Sequence, residues 1–266
     1  MTSPESIRRR RRWREKFGIG YRIGVAGVAL CSAVAQALIP RVFPTAPLWV
    51  VPSLVIATAV AVFRDNAVNV NRRLREPERQ KLRVQAQKAA AVALYSVAQQ
   101  KALDMADLGI SVFLVERTGW IRRRQHLSRL IRLRLKDAPQ ASDIVWTKGK
   151  GVIGQAWEKG RPVHERTSEL AKKYGGKELT DYGWSRVGQA ARQGFAREEF
   201  ETTVHKYAEI LAVPIKDENG AVLGVVSMDL AMSTTADLGR TWLDGPEVEE
   251  FVSVAAELIA KTLGRS

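Results

Sequence analysis

Two uncharged apolar runs near the start of the chain restrict its architecture more than any other feature. "IGVAGVALCSAVAQALI" (residues 23–39) and "APLWVVPSLVIATAVAVF" (residues 46–63) hold 17 and 18 residues without an acidic or basic side chain. At about 1.5 Å of rise per residue, each makes a helix of roughly 26 Å, the short end of a bilayer span. Only "PRVFPT" separates them. Arg8 to Arg12, Arg14, Lys16 and Arg22 precede the first run. Arg64, Arg72, Arg73, Arg75, Arg79, Lys81 and Arg83 follow the second, and Arg41 stands alone between them. Basic residues mark the cytoplasmic side of short membrane segments. The expectation is therefore a two-helix transmembrane hairpin in the cell membrane, multi-pass, with both termini cytoplasmic. A cleaved signal peptide ending near "AVAQA" would still leave the second run as an anchor. A buried soluble hairpin suits Pro40, Pro44, Pro47 and Pro52 less well than a membrane turn does.

The charge follows the same division. The formal net charge is +14, a value that by itself points to nucleic acid. Residues 1–83 carry 16 Lys/Arg and 5 Asp/Glu, a net of +11, which leaves +3 for the other 183 residues. An excess gathered beside apolar segments fits anionic membrane lipids as partners better than nucleic acid. The chain accordingly reads as a basic tail (1–22), a transmembrane hairpin (23–63), a basic juxtamembrane linker (64–83) and a globular domain (84–264). The single cysteine, Cys31, lies in the first apolar run, so internal disulfides and Cys-rich metal sites are excluded.

Within the domain, helix-forming residues from Pro77 to about Met105 predict a helix that starts at the proline, whose missing N–H is least costly there. Ala86, Ala89, Ala90, Ala91, Ala93 and Ala98 give it little bulk, so that it packs on its own domain or also pairs with a second copy. "GISVFLVER" (109–117) reads as a buried strand. "LIRLRLK" (130–136) alternates from Ile131, which sets Ile131, Leu133 and Leu135 opposite Arg132, Arg134 and Lys136. "EILAVPIKDENGAVLGVVSMDL" (209–230) is a hairpin about Asp217-Glu218-Asn219-Gly220, whose Asn-Gly tolerates the positive φ of a tight turn. Pro246 opens a last helix with Val248, Phe251, Val252, Ala255, Leu258 and Ile259 as its apolar stripe and Gly264 as its end.

"GKGVIG" (149–154) has the spacing of a dinucleotide-binding turn, but the helix after it runs into Gly160-Arg161-Pro162 after about two turns, too short for a crossover helix. No βαβ pattern surrounds it. A structural turn is the better reading.

"TKGKGVIGQAWEKGRPVH" (147–164), "ILAVPIKDENGAVLGVVSMDL" (210–230) and "VEEFVSVAAELIAKTL" (248–263), in this order, resemble the GAF domain, a small-molecule sensor module of signalling proteins. The resemblance covers about 180 residues. It implies an α+β fold: an antiparallel sheet of five or six strands, terminal helices on one face, and a pocket on the other closed by residues 165–208. In that frame Gly149 and Gly151 turn the chain into a short helix, Gly154 lets the helix lie close to the sheet, and Gly160 ends it. No cysteine is available for bilin attachment or sulfoxide reduction, and the Asn-Lys-Phe-Asp-Glu signature of the cyclic-nucleotide-regulated phosphodiesterases is absent.

His126, His164 and His205 are isolated, Asp181 and Asp229 are single carboxylates, and no nucleophile–base set emerges. No enzyme activity, cofactor or metal is expected. Arg132 and Arg134 share the strand face away from the covering helices and are candidates to hold a small anionic ligand; a basic face near acidic lipids is the plainer alternative. Tyr182, Trp184 and Arg186 complete the candidate ligand set, although Trp146, Trp157, Tyr182 and Trp184 are also ordinary packing residues. The expected protein is a membrane-anchored cytoplasmic GAF-type sensor or signalling module without its own catalytic output. It is expected to be a homodimer, with an unidentified downstream protein. The alternatives are a ligand-gated membrane effector whose hairpin is the output, and a scaffold that binds no ligand.

Overall fold

The computed structural model describes residues 50–118, 124–176, 178–232 and 241–264, with side chains from residue 76 onward. The basic tail, the first apolar run, the connecting loop and the first four residues of the second run lie outside these. The chain divides into two compact units, Met1–Arg79 and Gln80–Ser266. Val50 to Phe63 of the second apolar run open helix α1 (Val50–Lys101). Among the described residues no helix is long and apolar enough to cross a membrane.

Pro77 does not start a helix; it lies inside α1. A proline there cannot bond to the carbonyl four residues before it. The strong helix formers on both sides, "NRRLRE" before and "ERQKLR" after, carry the helix across the interruption.

Period-two runs in the second unit build a five-stranded antiparallel sheet. Its strands are β1 (Leu108–Thr118), β2 (Arg124–Arg134), β3 (Val163–Arg166), β4 (Tyr207–Lys216) and β5 (Val222–Ala231), in the order β2-β1-β5-β4-β3. With helices flanking it, this sheet is the α+β architecture expected from the sequence. One face meets α1 and the closing helix, α7 (Pro246–Leu263). Ala86, Ala90, Val97, Ile110, Val112, Met228, Val248 and Ile259 form the main core there. The alanine stripe lets helix and sheet backbones approach, although Ala91 is turned to solvent. The stripe of α7 differs from the expected one in the same way: Ala256 is buried, while Leu258 is half exposed.

The hairpin closes through the four residues expected from the sequence, Asp217 to Gly220. The Asp217 carboxylate oxygen accepts the N–H groups of Asn219 and Ala221, at 3.0 and 2.7 Å, and Gly220 takes a φ of +80°. The glycine-rich segment leads into helix α2 (Gly151–Lys159) with φ of +77° at Gly149 and +58° at Gly151. Gly154 serves a purpose other than the expected one. A Cβ there would strike the Thr147 carbonyl oxygen, so the close approach is to the turn folding back on the helix, not to the sheet.

Glu209 ties the far edge of the sheet to the start of α7. It is buried among apolar neighbours, yet its carboxylate accepts the N–H groups of Trp242 at 2.9 Å and Leu243 at 2.8 Å, and lies 3.2 Å from His164 Nε2. Burial alone would raise its pKa. The bonds from His164 and from the Leu243 and Trp242 N–H groups outweigh burial and hold it below the ordinary value.

Candidate functional site

The opposite face of the sheet carries polar and aromatic side chains at the positions that alternate with the core. β1 contributes Ser111 and Phe113, β2 Arg129 and Arg132, β4 Ile210, and β5 Ser227 and Asp229. Above them lie α2 and four short helices: α3 (Ser168–Tyr174), α4 (Asp181–Ser185), α5 (Gln189–Arg192) and α6 (Arg197–Thr203). Between the sheet and the roof made by the four short helices is a cavity of about 60 Å³.

The roof has a small core of its own, in which Val187, Phe200 and Val204 are buried against Leu170, Tyr174 and Trp184. Arg192 fastens it. Its Nε donates to the Val187 carbonyl at 2.8 Å and its Nη2 to the Trp184 carbonyl at 2.6 Å, which satisfies acceptors at the end of α4. Its guanidinium also stacks over Trp184, 4.4 Å from the ring centre. Two contacts tie the roof to the start of α2: the Gly151 N–H donates to the Gln193 carbonyl at 2.8 Å, and Lys150 Nζ to Glu199 at 3.0 Å.

Aromatic rings form one wall. Phe113 meets Trp146 edge-on at 6.2 Å between centroids, and Trp146 meets Phe195 at 5.8 Å. The Arg129 guanidinium lies over Phe113, 5.2 Å from the centroid. Three buried polar atoms on lining residues have no hydrogen-bond partner among the described residues: Arg129 Nε, Trp146 Nε1 and Thr203 Oγ1. A buried polar atom left in that state costs about 1–3 kcal/mol.

Positive charge is in excess around the cavity. Burial lowers the pKa of Arg129; Tyr207 acts against this and the charge of Arg132 adds to it. Burial likewise lowers that of Lys206, with Arg132 next in effect. The one carboxylate among the lining residues, Asp229, is engaged by Arg134.

Of the residues named from sequence, Arg132 lines the cavity, and its Nη2 donates to the Pro139 carbonyl. Arg134 is on the same face but is spent on Asp229. Tyr182 is exposed and pairs with Arg186, whose guanidinium is 5.1 Å from the ring centre, on the outside of the roof. Trp184 belongs to the roof's core. None of these three lines the cavity. Leu135, expected on the apolar face, lies past the end of β2 and is exposed. His164 has a partner in Glu209, and among the described residues no group of His, Cys, Asp or Glu is placed to hold a metal ion.

Arg129 is the residue that alternation misplaces. Counting back by two from Ile131 puts it on the helix-covered face. Arg129 is opposite Phe113 and Ile131 opposite Val112, which leaves Leu130 as a bulged extra residue. Leu130 and Ile131 both enter the main core, and the parity of the strand changes on either side of them. The one mark of this in the sequence is the adjacent pair of apolar residues, Leu130-Ile131.

No protein-family model matches the chain, and neither does any curated protein. Solved structures are similar to it at low identity. A putative GAF sensor protein from Burkholderia vietnamiensis is 13% identical, over 69% of this chain and 94% of that one, with a TM-score of 0.36. The blue-light-absorbing form of the Thermosynechococcus elongatus PixJ GAF domain is 14% identical, over 71% and 91%, at 0.39. The type II free methionine-R-sulfoxide reductase of Thermoplasma acidophilum is 14% identical, over 68% and 95%, at 0.38. Identities and scores this low carry neither ligand nor activity over to this chain.

Proposed function

We propose that this chain is a small-molecule sensor of the GAF type that works by binding and not by catalysis. The observation that supports this is the cavity between the sheet and a separately cored roof. A sheet face needing only to be covered would be filled with side chains; this one keeps space beneath a lid held by a few polar contacts. A ligand that fills the space binds both layers and shifts the roof toward its closed position.

The N-terminal apolar runs, with basic residues outside both, are assigned to a two-helix anchor that holds the domain on the cytoplasmic face of the cell membrane. The same reading makes the chain a homodimer that acts on a downstream protein. Val92 and Tyr95 on α1, and Val254 and Leu258 on α7, are large apolar side chains at least about half exposed, as a pairing surface requires.

The test is extraction. Full-length protein purified in mild detergent is denatured, and released small molecules are identified by mass spectrometry. A compound released from the wild type and absent from Ser227→Leu, which fills the cavity from β5, is the expected result. Equal profiles from both proteins would refute the assignment.

A further inference from the structure

We infer that the cavity takes a small ligand bearing an oxyanion, a carboxylate or an inorganic oxyanion, received by Arg129 together with Arg132 and Trp146. The inference rests on the small-molecule reading above and specifies the chemistry of the ligand.

The argument starts from hydrogen-bonding capacity. A guanidinium Nε and an indole Nε1 are donors only. Arg129 Nε and Trp146 Nε1 are both buried on residues that line the cavity, and neither has a partner among the described residues. A ligand that satisfies them must supply acceptors. The Thr203 hydroxyl, in the same state on the roof side, adapts to either role.

Charge gives the sign. Arg129 and Arg132 both line the cavity, while Asp229 is already engaged by Arg134. The carboxylate on the cavity wall is therefore offset before a ligand arrives, and the two remaining guanidinium groups favour an anion. Among the described residues Arg129 makes one long hydrogen bond, Nη2 to the Ser142 carbonyl at 3.5 Å, and feels the charge of Asp143 without a hydrogen bond to it, so most of its donors are available to the fork geometry that a carboxylate or phosphate accepts.

Size and lining set the remainder. An engineered cavity of about 150 Å³ accepts a benzene ring, whereas this one measures about 60 Å³. It suits an oxyanion head with few carbon atoms. Phe113, Val152, Ile153, Phe195 and Phe200 on its walls favour a single methyl group on that head over a longer chain.

Calorimetric titration of the full-length protein in detergent micelles, at constant ionic strength, decides the matter. The probes are sodium acetate, its neutral isostere acetamide, and sodium phosphate. Binding of acetate alone identifies a carboxylate ligand, and binding of phosphate alone an inorganic oxyanion. Either one should bind at least about tenfold more tightly than acetamide. Arg129→Gln should weaken it by about tenfold or more and Arg129→Lys by less. Trp146→Phe keeps one aromatic ring and removes the unpaired donor, so it should weaken anion binding beyond its effect on thermal stability. Lys261→Gln removes an exposed remote charge and should change nothing. Acetamide binding as tightly as acetate, or anion affinity unmoved in Arg129→Gln and Trp146→Phe, would overturn the oxyanion assignment and leave the small-molecule reading standing. No heat with any probe, from protein whose circular dichroism shows it folded, overturns it as well; the extraction experiment then judges the broader reading alone.

Discussion

Arg134 reaches across Gly109 to Asp229. Gly109 is opposite Arg134 on one side and Asp229 on the other, and Arg134 Nη2 donates to Asp229 Oδ1 directly over it. A Cβ at Gly109 would lie 2.8 Å from the Arg134 Cζ, so glycine there lets the guanidinium lie directly across the strand. The side chains are only 2% and 10% exposed. Removing one partner of such a pair leaves a buried charge and costs about 3–5 kcal/mol, while replacing both with apolar residues costs much less. Arg134→Met and Asp229→Leu should each lower the melting temperature strongly, and the double variant should recover most of the loss, as followed by circular dichroism. Additive losses would show that the two do not act as a pair.

Gly154 tests the turn in the same manner. With the Thr147 carbonyl oxygen where a methyl group would go, Gly154→Ala must displace backbone. Overpacking of this type costs about 1–3 kcal/mol. At Gly176 a Cβ would meet nothing within 4 Å, but the φ there is +69°, so Gly176→Ala meets conformational strain alone. Chemical denaturation should show the larger loss at Gly154; equal losses would count against the collision.

Two glutamates, Glu209 buried and Glu165 half-buried, should respond to pH with opposite signs. Glu209 sits below its ordinary value of 4.5, so its ionised form stabilises the fold. That contribution is present above 4.5 and lost as pH falls through the lower folded value. Glu165 sits above 4.5, chiefly through burial, although His164, Lys159 and the bond from Gln193 pull it down. Its contribution is full below 4.5 and lost as pH rises through the folded value. Melting curves between about pH 3 and 8 should therefore show Glu165→Gln gaining on the wild type as pH rises, and Glu209→Gln losing. Parallel curves for both variants would exclude this electrostatic account.

The membrane assignment makes a prediction about sidedness. Reporters fused at Ser266 and within residues 40–45 should give opposite signals, with the C-terminus cytoplasmic. Matching signals would remove the hairpin.

Self-association should depend on the exposed residues of α1 and α7. Tyr95→Glu and Leu258→Glu, at sites 55% and 50% exposed, should cost the monomer little and reduce cross-linking in membranes. In the sequence, Gly20-x-x-x-Gly24 and Ala29-x-x-x-Ala33-x-x-x-Ala37 repeat small residues at the spacing by which membrane helices approach closely; they lie outside the described residues, and Gly24→Leu tests them separately. Unchanged cross-linking in all three variants would refute a dimer through either surface.

Local patterns in the sequence were enough for the strands β1, β4 and β5, the short helix after the glycine-rich turn, and the closing helix at Pro246. Each is written in period, turn residues or caps within about twenty positions, where backbone sterics and amphipathic burial act. They were also enough to set Arg132 on the face away from the covering helices. The site itself needed the tertiary structure. Arg129 faces the cavity because Leu130 bulges from the ladder, and a bulge is settled by how two strands align, not by either strand alone. Arg134 looked equivalent to Arg132 in the alternation, yet it is withdrawn by Asp229, 95 residues further along and brought near only by β5 pairing with β1. Tyr182 and Arg186 looked like lid residues facing a ligand, but the roof packs around Phe200 and Val204 and turns them outward. Alternation reports which face a side chain takes; only the pairing of distant segments decides what waits for it there.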